Sequence, residues 1–252
     1  SKRDEMVEVL KGLKNIKITA EQKAYYEANC IDLGAESNIY QNSPNTIIKI
    51  WKDEVISDAQ KENKKEKLIK MYERKLKHIP TIISTYSLDD VCIGYEMSYD
   101  EDDMPMLIAP LDKNAKLKVL TEMKEILQYF AEEGVIYPDI KNDNILINHR
   151  TGIATFCDMD NSKVDNLPID VYPTYAELFT ERYGQEDSTL HSYMLNLYTL
   201  TALNDIWQDE AILGINQDDY QNMVTEKGKV ILKQMKKITP TYTGEYLIDY
   251  IK

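Results

Sequence analysis

The sequence predicts an α+β chain, with a strand-rich first part and a helical second part, and three observations carry that prediction. Short apolar runs crowd residues 30–51 and 81–97, the acidic run Asp100-Glu101-Asp102-Asp103 breaks the pattern, and beyond it apolar residues recur at helical spacing. Strands and helices kept apart along a chain define that class. The expected division is 1–98, an N-terminal extension with a small sheet and one helix, and 99–252, a hinge followed by a helical lobe. At 252 residues the chain can bury one sizeable core or two lobes sharing a cleft, so one catalytic unit is expected.

The elements follow in order. Residues 1–28 are rich in Lys and Glu, with apolar spots at Met6, Val9, Leu10 and Leu13, which predicts one or two short amphipathic helices packed on the main body. The runs Cys30–Leu33 and Thr46–Trp51 flank the turn-rich Gln41-Asn42-Ser43-Pro44-Asn45, which predicts an antiparallel hairpin. Residues 55–77 place Leu68, Ile69, Tyr72 and Leu76 on one stripe of a long charged helix. Two more strands, Thr81–Leu88 and Val91–Met97, are joined by Asp89-Asp90. In the second part, Leu117–Glu133 carries a core stripe ended by Gly134, and Ile145–Ile147 and Ile153–Phe156 flank the turn 148–152. From about Ser188 onward the pattern is mostly helical.

Charge and cysteine content exclude several functions. Lys and Arg number 30 against 43 Asp and Glu, a formal net charge of −13, which argues against nucleic-acid or anionic-lipid binding. Cys30, Cys92 and Cys157 lie far apart with no C-x-x-C pair, neither a disulfide framework nor a zinc pattern. The sequence has no signal-like apolar start and no run of eighteen apolar residues, so a cytoplasmic protein without a membrane partner is expected. Nothing in the sequence sets the oligomeric state.

The stretch that carries chemistry is Ile136-Tyr137-Pro138-Asp139-Ile140-Lys141-Asn142-Asp143-Asn144-Ile145-Leu146-Ile147, followed by Thr155-Phe156-Cys157-Asp158-Met159-Asp160. A loop between a helix and a hairpin presents Asp139, Lys141 and Asn144, and the second hairpin strand returns Asp158 to the same end. Phosphoryl transfer needs such a set: a carboxylate for the acceptor hydroxyl, a cation for the transferring group, and hard oxygens for Mg²⁺.

This stretch resembles the protein-kinase catalytic loop H-R-D-x-K-x-x-N and the D-F-G that follows it. The resemblance is close from Ile136 to Asp160 and weaker from about Leu33 to about Leu203. It implies a bilobal protein-kinase-like fold that uses ATP and Mg²⁺, with Asp139 as base, Lys141 on the γ-phosphate, and Asn144 and Asp158 as metal ligands. For the nucleotide it implies Gly34, where the glycine-rich loop would lie, and Lys49 on the α- and β-phosphates. It also implies Met97 behind the adenine, the backbone of Ser98 to Asp100 with Tyr99 at its edge, and Leu146. The lysine needs a helical carboxylate; Glu62, Glu66 and Glu73 compete, and Glu66 has the spacing that suits the family.

The sequence departs from the pattern in several places. Tyr137-Pro138 replace His-Arg, Met159-Asp160 replace Phe-Gly, one glycine remains of three, and no A-P-E follows. His191 stands where an Asp braces the catalytic loop. The divergent character points to a bacterial, phage or viral type. The expected activity is serine/threonine protein kinase. The alternatives are a kinase of small molecules, or a pseudokinase scaffold that binds nucleotide or partner proteins.

Overall fold

The computed structural model describes residues 6–237 and 241–252. The chain is mixed α/β and divides into two compact units, Ser1–Glu101 and Asp102–Lys252, the first strand-rich and the second mainly helical. Among the described residues no helix is long and apolar enough to cross a membrane.

The first unit opens with β1 (Met6–Leu10) and β2 (Leu13–Lys17), followed by α1 (Ala20–Ala28). This corrects the helical expectation for the first of these segments. Lys11 and Gly12 both take positive φ, 49° and 86°, the two-residue turn whose twist matches an antiparallel hairpin. Leu10 then faces Leu13 across the turn. The spacing of Met6, Val9, Leu10 and Leu13 imitated a helix because a hairpin turn falls in its middle. Only from Ala20 does a helix form, capped by the Thr19 hydroxyl, which accepts from the Gln22 N–H at 3.1 Å. Nor is the hairpin an appendage, since β2 pairs in parallel with a central strand of the sheet.

Next come β3 (Asp32–Leu33), β4 (Ser37–Ser43) and β5 (Thr46–Trp51), a three-stranded meander in place of the expected hairpin. Gln41-Asn42-Ser43 read as turn but lie in β4, and the turn itself is Pro44-Asn45. Asn42 uses its polarity across the sheet, donating to Glu96 Oε2 at 2.9 Å. The helix α2 (Asp58–Glu73) starts at a capping box made by Ser57 and Gln60. The strands β6 (Ile82–Leu88) and β7 (Val91–Ser98) complete a seven-stranded sheet in the order β1-β2-β6-β7-β5-β4-β3. Ile48 and Ile50 on β5 pack with Ile18, Tyr26, Tyr86 and Ile93 in a core on one face. Trp51 points to the other face, where the Lys64 ammonium of α2 lies 5.8 Å from its ring centre.

In the second unit the acidic connector already contains structure. The strand β8 (Asp103–Pro105) pairs with β10 (Ile145–Asn148), and Asp103 accepts a bond from Asn148 at 3.0 Å. The acidic letters hid this short edge strand. The long helix α3 (Lys113–Glu132) buries Leu120, Met123, Leu127 and Phe130, and Gly134 beyond its end takes φ +75°. It is followed by β9 (Val135–Ile136), then β10, β11 (Ala154–Phe156) and β12 (Lys163–Val164). β8, β10 and β11 form one small sheet, and β9 with β12 a second. The remainder is α4 (Thr174–Tyr183), α5 (Ser188–Asn204), α6 (Gln208–Leu213), α7 (Asp218–Gln221) and α8 (Glu226–Lys236). The helix α5 is buried nearly all round, as its apolar composition requires.

Candidate active site

In the second unit the loop between β9 and β10 is anchored from below by two completely buried residues, Tyr137 and Ile140. On either side of Ile140, Asp139 is half-buried and Lys141 is exposed. The Tyr137 N–H donates to Nε2 of His191 at 2.7 Å, and its hydroxyl donates to the Cys157 carbonyl at 2.5 Å. Three more bonds fix the loop. Asn144 donates to the Asp139 carbonyl at 3.0 Å, the Leu107 N–H donates to Asn142 at 2.8 Å, and Gln208 reaches the Ile140 carbonyl at 3.3 Å. The Cys157 N–H donates to the Asn144 carbonyl at 2.8 Å, which ties the Asp158 turn to the same loop.

Asp139, Lys141, Asn144 and Asp158 are thereby brought together. The Lys141 ammonium is 3.7 Å from the Asp139 carboxylate. Burial pushes the Asp139 carboxyl above its ordinary range; Lys141 opposes the rise, the Asp158 charge adds to it, and the Asn144 hydrogen bond opposes it. The Asp158 charge near a buried Asp139 carboxyl makes this a spot where a cation is favoured. Asp158 sits in left-handed backbone, φ 64° and ψ 36°, at the start of a 3-10 turn over Met159–Asn161. Asp160 inside that turn is buried.

His191 is completely buried, and desolvation lowers its imidazole to about 4 against the Leu127 carbonyl and the Asp187 charge. It is therefore neutral at physiological pH, with Nε2 free to accept the Tyr137 N–H. The segment after Asp158 is tethered to the body of the unit. Asn161 exchanges two bonds with the Val171 backbone, at 2.5 and 2.9 Å, and Lys163 pairs with Ile136.

The residues expected to hold nucleotide lie mostly in the first unit. Lys49 is buried in β5, opposite Tyr95 on β7, and alternates with the core residues Ile48 and Ile50. It therefore shares the face of Trp51 and α2. The two alternatives to Glu66 on α2 lie outside: Glu62 is exposed and pairs with Lys65 at 2.8 Å, and Glu73 is exposed, while Glu66 is half-buried. Sequence reading missed what α2 does bury, namely Lys61, Lys64 and Lys67 beside Leu68 and Met71. The signal was available, because these lysines fall on the same helical stripe as the two apolar residues.

Gly34 lies in the turn between β3 and β4, its N–H donating to the Ser37 carbonyl at 2.8 Å. Met97 is buried at the end of β7, and Tyr99 beyond it is partly exposed. The N–H groups of Ser98 and Tyr99 are engaged by the carbonyls of Thr81 and Asn45, at 2.9 and 2.8 Å. This moves any adenine contact off those two amides. Leu146, in the second unit, is half-buried on β10 between Pro105 and Thr155.

Among the described residues no group of three or more His, Cys, Asp or Glu side chains could hold a metal ion by itself. The oxygens of Asn144 and Asp158 fit a different case, Mg²⁺ carried in by phosphate and held by one or two protein oxygens. The Asn144 amide nitrogen donates to the Asp139 carbonyl, so its oxygen is the atom that would face a metal.

The sequence matches no protein-family model and no curated protein.

Proposed function

We propose that this chain is an ATP- and Mg²⁺-dependent phosphotransferase of the protein-kinase-like superfamily, with a bilobal kinase-like fold, acting on Ser or Thr hydroxyls of a protein. The observation that supports it most is the gathering of Asp139, Lys141, Asn144 and Asp158 around one anchored loop. Asp139 receives the acceptor's proton on a carboxylate oxygen. Its raised pKa makes it a stronger base than a solvated carboxylate. Lys141 steadies that carboxylate and offers an ammonium to the group in transfer. Asn144 and Asp158 would hold Mg²⁺, which when bound neutralises charge on phosphate oxygens. Lys49 would take the α- and β-phosphates with Glu66 as its partner, Gly34 would lie over the phosphates, and Met97, Tyr99 and Leu146 would bound the adenine.

A second reading changes the acceptor to a small alcohol. It is favoured by the segment after Asp158, which is tethered through Asn161 to Val171 and reaches α4 at Thr174.

Incubation with γ-labelled ATP and Mg²⁺ tests the reading, with candidate proteins and small alcohols as acceptors and Asp158→Ala as control. Label should move in the wild type and not in the variant. ATP should raise the melting temperature more with Mg²⁺ than without it, and Asp158→Ala should erase that difference. An Mg²⁺-dependent shift of the same size in the variant removes Asp158 from the metal site.

A further inference from the structure

The Asp139 loop and the Asp158 turn are separate segments, and one side chain spans them. Tyr137 packs edge-on against Phe156, ring centres 5.4 Å apart, and lies 6.5 Å from Phe130. A phenylalanine would fill that aromatic cluster equally well. The hydroxyl is an added polar group in a fully buried place, and such a group is tolerated only when it is hydrogen-bonded. Its partner is the Cys157 carbonyl, part of the peptide bond that leads directly into Asp158.

That location matters because Asp158 adopts the left-handed conformation, which disfavours a residue with a Cβ by about 1–2 kcal/mol. A strained turn persists only where its surroundings fix it. At the other end, the Tyr137 N–H is held by His191 on α5. One residue thus links a core helix, the base loop and the strained turn.

We propose that Tyr137 is a positioning residue whose hydroxyl holds the left-handed Asp158 turn in register with the Asp139 loop. Its functional half rests on the phosphotransferase reading; its structural half does not.

The test is Tyr137→Phe in the full chain, which keeps the ring and removes one hydrogen bond. Two quantities are read: amide hydrogen exchange over residues 157–161, and the Mg²⁺ concentration that half-saturates ATP turnover. One hydrogen bond corresponds to about a tenfold effect. Exchange at 157–161 should therefore quicken about tenfold with α3 unchanged, and the Mg²⁺ requirement should rise about tenfold while turnover at saturating Mg²⁺ falls less. Unchanged exchange at 157–161, or an equal rise in α3, overturns the proposal, since a packing role alone gives one or the other. An unchanged Mg²⁺ requirement overturns its functional half. If the wild type turns over no ATP with any acceptor, the phosphotransferase reading fails, and the exchange result still decides the structural half. If Tyr137→Phe does not fold, the wild-type phenolic proton is observed instead by NMR. A slowly exchanging resonance close to residues 157–158 supports the proposal, and a rapidly exchanging one overturns it.

Discussion

The residues assigned to transfer and those assigned to nucleotide are built in opposite ways. In the second unit, Asp139, Lys141 and Asn144 lie within six residues of one another, and Asp158 is brought back by a hairpin only fourteen residues further on. Their geometry follows from a short loop, two buried anchors and local hydrogen bonds. In the first unit, Gly34, Lys49, Glu66, Met97 and Tyr99 span 66 positions on three elements and the turns beside them. Local chemistry writes itself into neighbouring letters, whereas a sheet-borne arrangement depends on register and on which helix face turns inward.

The acid response of His191 is the largest effect expected and bears on the second unit. Its folded pKa, about 4, lies below the ordinary histidine value of 6.5, so the unfolded chain binds the proton more readily. Stability from this group is complete above pH 6.5 and is lost as pH falls through about 4. By linkage the loss at pH 4 is on the order of 3 kcal/mol. Urea unfolding at pH 7, 5.5 and 4 should show wild type losing about that much relative to His191→Gln. Parallel curves for the two proteins would mean that the Tyr137 N–H is not held by a neutral imidazole.

For the first unit the comparison is Lys49 with Lys52. Lys49→Met should lower turnover about 100-fold or more, the scale of losing one preorganised charge contact. Lys52, half-buried just past β5, should give a change of about twofold when replaced by Met. Equal losses would break the assignment of the nucleotide set to this face of the sheet.

A smaller effect sharpens the register on which that assignment depends. A Cβ at Gly94 would lie 2.0 Å from the Lys49 carbonyl oxygen, so β7 can pass β5 there only as glycine. Gly94→Ala should destabilise the protein by about 2 kcal/mol, typical of overpacking, in a urea titration. A neutral substitution would contradict the pairing of Ile50 with Gly94.

Legibility in the sequence follows the same divide. The α3 stripe with its Gly134 stop, the β10–β11 hairpin and the Asp89-Asp90 turn were readable, because their periods and turn residues are local. The β1–β2 hairpin was not, since Lys11-Gly12 breaks a spacing that otherwise imitates a helix. β4 was missed as a strand because Gln41, Asn42 and Ser43 look like turn letters, and only the fold reveals Glu96 as the partner of Asn42. β8 was concealed by its acidic side chains. The buried lysines of α2 were passed over because charge suggests solvent, although their spacing matches Leu68 and Met71. At the candidate site the four polar groups were visible, while the struts beneath them, from Tyr137 to Cys157 and from Gln208 to Ile140, join residues far enough apart to leave no local pattern.

The central claim is that the second-unit carboxylate Asp139 acts as a base, and Asp139→Asn tests it most directly. The carboxyl's folded pKa is raised, so its stabilising contribution is present below the unfolded value and is lost as pH rises through the folded one. At neutral pH the carboxylate is therefore a burden on the fold, and the neutral amide should leave the melting temperature unchanged or slightly higher. The decisive quantity is phosphate transfer from labelled ATP, measured beside ATP affinity in wild type and variant. The account predicts unchanged affinity and transfer at least ~100-fold slower. Equal transfer rates in the two proteins would contradict it.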